Sequence, residues 1–587
     1  MITPSAQNLL DRASDCLKTG DYISAEPVVI QLLRQDPGNI RGLCFQAIIA
    51  VEAGRKDLAL ASIKRALELG PRIPGVLQSA APIFFKCGQP DLARQMWERL
   101  IELMPQAIDA RCNLARLLSR EGDLDAAEKQ LRTALELAPD HHRAYLSLGN
   151  VLSKCGRIEE TMALFREGKR RYPGHTVGWS ALLYTMHFDP AGSPEQIYSE
   201  HVEWGRKLEE STACVTRHDN QPVSGRRLRV GYVSPNFRNH VVGHNLLPLL
   251  RKHDRAQFEI FCYSDTRKED DFTEQFRRFT DHWRGTGKMT DAELAQQVTE
   301  DKVDILIDLN MHMKGMRLGV FARKPAPVQV AFMAYPGSTG MKRMDYRLTD
   351  AVLDPAGTDG YYTEQTVRLE TFWCFEPLAG CPAVGPLPAD ANGCVTFGCL
   401  NNFAKINAGV LEMWREVLAA VPSSRMMLMP PQGKTIAWLA GTLNVEPARL
   451  VCQPKQKPLE YLALYNQIDL ALDPFPYTGH STTLDGLWMG VPLVTRAGAT
   501  IASRGSCSIL TNLGLPELVT TTKDDYVKLA VQLANDLPRL RELRAGLRAR
   551  MEKSVLMDAD RFARQVESAY RMMWQKWCET QSTKPAG

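Results

Sequence analysis

An α-helical repeat solenoid followed by two parallel α/β lobes is the fold class that the sequence predicts. Three observations predict it. Glycines and prolines recur every 34 residues up to residue 173; short β-branched runs alternate with helix-length amphipathic stretches after residue 226; and a Pro- and Gly-rich interval, 377–393, divides those runs into two sets.

The repeat comes first in the chain. Gly20, Gly54, Gly88, Gly122 and Gly156 share the 34-residue step with Pro37, Pro71, Pro105, Pro139 and Pro173. Ala25, Ala59, Ala93 and Ala127 keep the same step, with Thr161 as the fifth member, so small side chains recur where two helices must pack closely. Each unit reads as a helix, a turn opened by glycine, a second helix and a proline that stops it. This is the tetratricopeptide period, and it predicts five repeats over 1–173. One unit cannot bury its apolar face alone, so stacked units are expected to form a concave groove that takes polypeptide. Apart from Asn113, no asparagine recurs at one repeat position. The period then stops. Residues 174–226, helical in spacing over 197–210 and ending in the loop DNQPVSG, are expected to be a capping and linking segment, with contact to the next domain's cleft as the alternative.

Strand-like runs follow at 228–234, 258–264, 303–309 and 328–333, and again at 395–400, 425–429, 450–452, 468–473 and 492–495. Strands alternating with helices predict doubly wound parallel sheets. The boundaries are a first lobe at 227–385 and a second lobe at 386–587 that includes the C-terminal helices. Ligands of open α/β sheets sit outside the carboxyl ends of the strands, so the residues just after each run are the candidate site.

Composition excludes several function classes. Apolar residues at 44% and charged residues at 24% are ordinary for a folded chain. A net charge of +4 without a sustained basic block does not point to nucleic acid. Fourteen scattered cysteines without CxxC pairs, and an N-terminus without a signal pattern, lead us to expect a reducing cytoplasm. No apolar run reaches the roughly 18 residues that span a bilayer.

The stretch TGHSTTLDGLW (478–488) places a glycine, a histidine and three hydroxyls at a strand-to-helix junction. A helix start carries unpaired N–H donors and about half a positive charge, which suits a phosphate; a plain Ser/Thr cap is the alternative. In NNFAKINAGVLEMW (401–414) a second strand end delivers Lys405 before another helix, capped by Asn407. Two helix starts and one lysine are therefore expected to converge on a diphosphate. There is no Walker A loop, GxGxxG fingerprint or zinc-ligand spacing, and the DxD of Asp558 and Asp560 falls in a helical stretch. No metal is expected; protein cations and dipoles would stabilise the leaving group.

The motifs GYVSPNFRNH, DYRLTD, FGCLNNFAKI and DPFPYTGHSTTLDGLWMGVPLVT resemble the O-GlcNAc transferase family, which includes the plant SPINDLY proteins, and the likeness covers nearly the whole chain. The resemblance implies a GT-B fold and a metal-independent, inverting transfer of a sugar from a nucleotide diphosphate to Ser or Thr of proteins. By motif, Lys405 is similar to the lysine that neutralises the diphosphate. Asn402 is similar to a phosphate-contacting amide, Ser481 and Thr482 to the hydroxyls on the β-phosphate, and His480 belongs to the same turn. Asp485 and Lys455 match ribose-side groups, although the spacing around Lys455 differs among relatives, and Tyr461 stands near an aromatic or histidine that stacks on the base. His240 matches the active-site histidine discussed as a general base, with a backbone-bonded loop histidine as the plain alternative; His244 and His312 are weaker candidates. Pro336 and Gly337 would let backbone approach the sugar.

The donor the resemblance favours is UDP-GlcNAc, because GHSTTLD retains the histidine and aspartate of the GlcNAc enzymes. NNFAKI, DPFPY and MGVP lean towards SPINDLY and GDP-fucose. A tetratricopeptide scaffold with an inactive transferase module is the rival from another class, and an N-linked glucosyltransferase of related fold is a third.

Overall fold

The computed structural model describes residues 4–174, 176–431 and 436–582. Two compact units divide the chain, Met1–Leu152 and Ser153–Gly587.

In the first unit, helix pairs α1 (Pro4–Lys18) and α2 (Tyr22–Gln35), α3 (Ile40–Glu52) and α4 (Lys56–Leu69), α5 (Pro74–Lys86) and α6 (Pro90–Leu103), and α7 (Ile108–Glu121) and α8 (Leu124–Leu137) form the first four repeats. The fifth pair is α9 (His142–Lys154) and α10 (Ile158–Arg171), so the fifth repeat straddles the division and 1–173 is not one compact body. The five turn glycines all adopt positive φ, between 74° and 97°, which is why no other residue type recurs there. Ala25, Ala59, Ala93, Ala127 and Thr161 are fully buried between the paired helices.

The second unit opens with helices α11 (Thr176–Met186) and α12 (Pro194–Glu210). The first sheet contains β1 (Leu228–Ser234), β2 (Phe258–Ser264), β3 (His282–Gly285), β4 (Ile305–Asp308), β5 (Val328–Ala331), β6 (Tyr346–Asp350) and β7 (Gln365–Leu369). All pairs are parallel, in the order 3-2-1-4-5-6-7. The second sheet contains β8 (Thr396–Cys399), β9 (Arg425–Leu428), β10 (Leu450–Cys452), β11 (Leu470–Leu472), β12 (Leu493–Arg496) and β13 (Val519–Thr520). It too is parallel, in the order 10-9-8-11-12-13. Each order reverses beside the lobe's first strand, between β1 and β4 and between β8 and β11, and those switch points open a crevice for ligand. Repeats followed by two such lobes give the tetratricopeptide and GT-B architecture.

One boundary needs correction. The final helix, Ala559–Ser582, packs on the first sheet, with Phe562, Val566, Tyr570, Met573 and Trp574 in the core of the first lobe. A polar seam fixes it there: the Tyr232 hydroxyl lies 3.2 Å from that of Tyr570, and His253 Nδ1 lies 2.9 Å from Glu567. The second lobe's own helices end with Leu537–Glu552, whose Leu540, Leu543 and Leu547 enter that lobe's core.

The segment after the repeats docks on the first lobe. A Cβ on Gly205 of α12 would lie 2.0 Å from the Gly340 carbonyl oxygen, so the two backbones touch. Beside that contact the Tyr335 hydroxyl meets His187 Nε2 at 3.0 Å and His201 Nε2 at 2.7 Å. Both rings are buried, and burial pushes both well down, to about 4 for His201, so they serve as neutral packing groups.

Candidate functional site

The second sheet's switch point holds a polar cluster. The chain leaves β8 into a short 3₁₀ turn, Phe403–Lys405, and leaves β11 into 473–480 before the helix Ser481–Trp488. Lys405 reaches across: its Nζ donates to the Thr478 carbonyl at 2.7 Å and to Asn401 Oδ1 at 3.1 Å. The same Asn401 oxygen accepts from Thr482 Oγ1 at 2.9 Å, so the lysine and the 480s turn share one acceptor. The helix Ser481–Trp488 has no side-chain cap, its first bonds being Thr483 N–H and Leu484 N–H to the His480 carbonyl. Among the described residues the N–H groups of Ser481 and Thr482 have no acceptor, and this start is open to an anion. The expected second open start is absent. Asn407 caps the helix Ala408–Ala420 through Val410 N–H and spends its amide on the Phe475 carbonyl.

Electrostatics follow from burial. Lys405 is pushed down to about 8 by burial, opposed by Asp473 and Cys399, and remains cationic at neutral pH. Its ammonium lies 4.5 Å from the Tyr477 ring centroid, which stacks on Phe188 at 4.7 Å and meets Tyr184 at 6.3 Å. The linking segment therefore packs on the ring that flanks the lysine, the second of the two alternatives the sequence left open. Asp473 is buried, accepting from Gly479 N–H at 2.8 Å and Thr495 Oγ1 at 2.6 Å, and so shapes the turn.

Asp485 lies one turn into the helix. Its carboxyl has no hydrogen-bond or ionic partner among the described residues, and burial alone pushes it up to about 7. The Tyr461 hydroxyl meets that of Tyr465 at 2.8 Å, and Tyr465 donates to the Thr482 carbonyl at 2.9 Å, which ties Tyr461 to the same turn. His480 Nε2 is buried without a partner, and burial, followed by the Lys405 charge, pushes the ring down to about 3. Its ring packs edge-on to Trp373 at 5.4 Å, and both residues line one small cavity with Pro336, Gly337 and Ile501. Pro336 and Gly337 thus reach the cluster from the opposite lobe.

Three sequence-chosen residues lie elsewhere in the geometry. Asn402 is exposed and its oxygen caps Ala404 N–H; the neighbouring Asn401 holds Lys405 and Thr482. Lys455 is exposed in the loop after β10, without a hydrogen bond or ion pair among the described residues. His240 caps the helix Val241–Lys252, its Nδ1 accepting Val242 N–H at 3.2 Å. Burial, with Arg238 and His244, pushes it down to about 4, so the ring is neutral with its proton on Nε2. In that state Nε2 is a hydrogen-bond donor. No contact among the described residues joins His240 to Lys405. His312 is buried between Ser180 and the Thr339 carbonyl, and His244 bonds Asn239. Asn401, Asp473, Tyr465 and Tyr477 are the cluster residues that sequence reasoning missed.

The chain matches the family model described as glycosyl transferase family 41 over residues 210–375 and 385–566, and a tetratricopeptide repeat model over 10–72 and 112–176. It is 38% identical over 410 residues to the probable UDP-N-acetylglucosamine–peptide N-acetylglucosaminyltransferase SPINDLY of Oryza sativa subsp. japonica, covering 68% of this chain and 44% of that one. It is 30% identical over 374 residues to the SEC protein of Arabidopsis thaliana, named as the same probable activity, covering 61% and 38%. A solved mutant of the Thermobaculum terrenum O-GlcNAc transferase superposes with a TM-score of 0.81 at 34% identity, covering 86% of this chain and 98% of that one. The chain thus spans less than half the length of the curated relatives it matches.

Proposed function

Because this chain belongs to glycosyl transferase family 41, we propose that it transfers a sugar from a nucleoside diphosphate donor to Ser or Thr hydroxyls of proteins, with UDP-GlcNAc as the donor. The observation that carries the reading is the single cluster of Lys405, Asn401, Thr482 and an uncapped helix start at a sheet's switch point.

In this reading the diphosphate lies against the N–H groups and hydroxyls of Ser481 and Thr482, with Lys405 beside it. As the glycosidic bond breaks, negative charge grows on the β-phosphate, and a fixed cation plus helix-start dipoles stabilise it more than the ground state. Asp485 accepts hydrogen bonds from the ribose hydroxyls. Tyr461 flanks the base, and Pro336 and Gly337 bring backbone to the sugar. His240 Nε2–H orients an oxygen of the sugar or acceptor. We assign the diphosphate's stabilisation to these protein groups without a divalent ion, so turnover is expected to survive EDTA; strict manganese dependence would oppose that assignment.

Donor identity is tested by incubating the purified chain with UDP-GlcNAc or GDP-fucose and following nucleoside diphosphate release. UDP release alone is expected. GDP release alone would favour the second reading, a protein O-fucosyltransferase, which the higher identity to the SPINDLY proteins keeps in view. Release from neither would favour a scaffold.

The pH dependence carries its own signature. Asp485 accepts ribose hydroxyls when ionised, above about 7, and Lys405 works as a cation, below about 8. The kcat/KM for donor should therefore rise through pH 7, peak in a narrow window and fall through pH 8. Asp485→Asn should remove the acid limb and leave the alkaline one. A flat profile from pH 6 to pH 9 would contradict both assignments.

A further inference from the structure

The repeats carry a charge pattern that the transferase reading does not use. Lys18, Lys86, Arg120 and Lys154 occupy one position of the 34-residue repeat, with Glu52 as the exception. Successive first helices pack on one another, α1 on α3 and α3 on α5, so this position lies on the face that the first helices share. Two arginines there are unusual. The guanidinium carbons of Arg116 and Arg120 lie 5.2 Å and 5.0 Å from the centroid of one ring, Phe85, and among the described residues neither makes a hydrogen bond or ion pair. Burial, followed by the charges of Arg143 on α9 and of Arg120, disfavours the charged form of Arg116, although Arg143 itself pairs with Asp109 at 2.7 Å.

Unpaired cations held side by side repel one another, and they are stacked on an aromatic face that fixes their planes. Such a pair is oriented for carboxylates that the chain itself does not supply. We propose that this face of the third and fourth repeats binds an acidic segment of the acceptor polypeptide through Arg116 and Arg120. The proposal rests on the protein-acceptor reading and adds its specificity: the groove grips side-chain carboxylates, in place of a recurring asparagine. Interleaved Asp109 and Glu52 dilute the positive field, which fits a peptide with spaced carboxylates better than a continuous polyphosphate.

The test uses the full chain and a fluorescein-labelled twelve-residue peptide of alternating Ser and Glu, read by anisotropy at low and high salt. The same peptide with Gln for Glu, and a single-stranded DNA of equal length, are the comparisons. The Ser–Glu peptide should bind on the order of tenfold more tightly than Ser–Gln, with the gap closing at high salt. The double variant Arg116→Gln with Arg120→Gln should abolish that gap, and Arg116→Lys with Arg120→Lys should keep most of it. Equal affinity for the two peptides, or an unchanged gap in the Gln variant, overturns the proposal; tighter DNA binding assigns the face to nucleic acid. A melting curve checks the fold of each variant. Donor hydrolysis, unaffected by these arginines, separates the two readings: peptide preference without hydrolysis sinks the enzyme, and hydrolysis without preference sinks the acidic groove.

Discussion

Lys405→Ala is expected to lower kcat for nucleoside diphosphate release by a factor of hundreds or more. The side chain contributes a cation beside two hydroxyls and two free N–H groups at an uncapped helix start, where the proposed reaction develops leaving-group charge. Loss of one such stabiliser in a water-poor site typically costs about 3–4 kcal/mol of barrier, the equivalent of 10²–10³ in rate. The lysine is also packed: Asn401 Oδ1, the Thr478 carbonyl and the Tyr477 ring hold it at fixed distances, so no ordering is needed during reaction. Lys405→Arg should restore little, because a planar guanidinium does not fit a place built for a compact ammonium between two oxygens. A steady-state assay in which Lys405→Ala stays within tenfold of the parent would remove the lysine from the reaction.

Gly340→Ala should destabilise the larger unit by roughly 3–5 kcal/mol, and lower its melting midpoint by about 3–6 °C. Gly340 has φ +75°, and a Cβ there would stand 1.9 Å from the His201 carbonyl oxygen, so α12 cannot stay where it is. Gly357→Ala is the matched control, because its φ is +93° with nothing within 4 Å of the new Cβ. Strain alone should cost about 1–2 kcal/mol there. Calorimetry in which the two variants melt alike would show that the α12 contact is unimportant. Donor affinity should fall with Gly340→Ala as well, since Pro336 and Gly337 belong to the same loop.

The parts legible in the sequence were those that steric rules force into a fixed residue type. The 34-residue glycine was readable because the turn demands positive φ, and all five glycines adopt it. Strands β1, β2 and β10 appear at their expected limits because both faces are buried or the run is bounded by breakers. Edge strands β3 and β7 escaped notice because half-exposed residues such as His282, Arg284 and Arg368 leave no apolar run. β6 escaped for the opposite reason: Arg347 and Thr349 are buried, yet both satisfy Asp354, so polar letters fill a core strand. Placing the last helix needed a contact between Tyr570 and Tyr232, 338 residues apart, which periodicity cannot supply.

Within the site, motif reading found Lys405, Thr482 and Asp485 at one junction. It chose Asn402 over Asn401, because a single residue's step after a strand end decides which amide turns inward. Tyr184 and Phe188 could not be found at all, since nothing in a helix's own spacing names the cleft it will wall.

Central to the proposed function is a diphosphate held by Lys405 at the open start of Ser481–Trp488. Isothermal titration of UDP and of uridine into the parent chain and Lys405→Ala measures that contact without turnover. UDP should bind the variant on the order of tenfold to a hundredfold more weakly, with uridine affinity unchanged. Equal UDP affinity for the two proteins would contradict it.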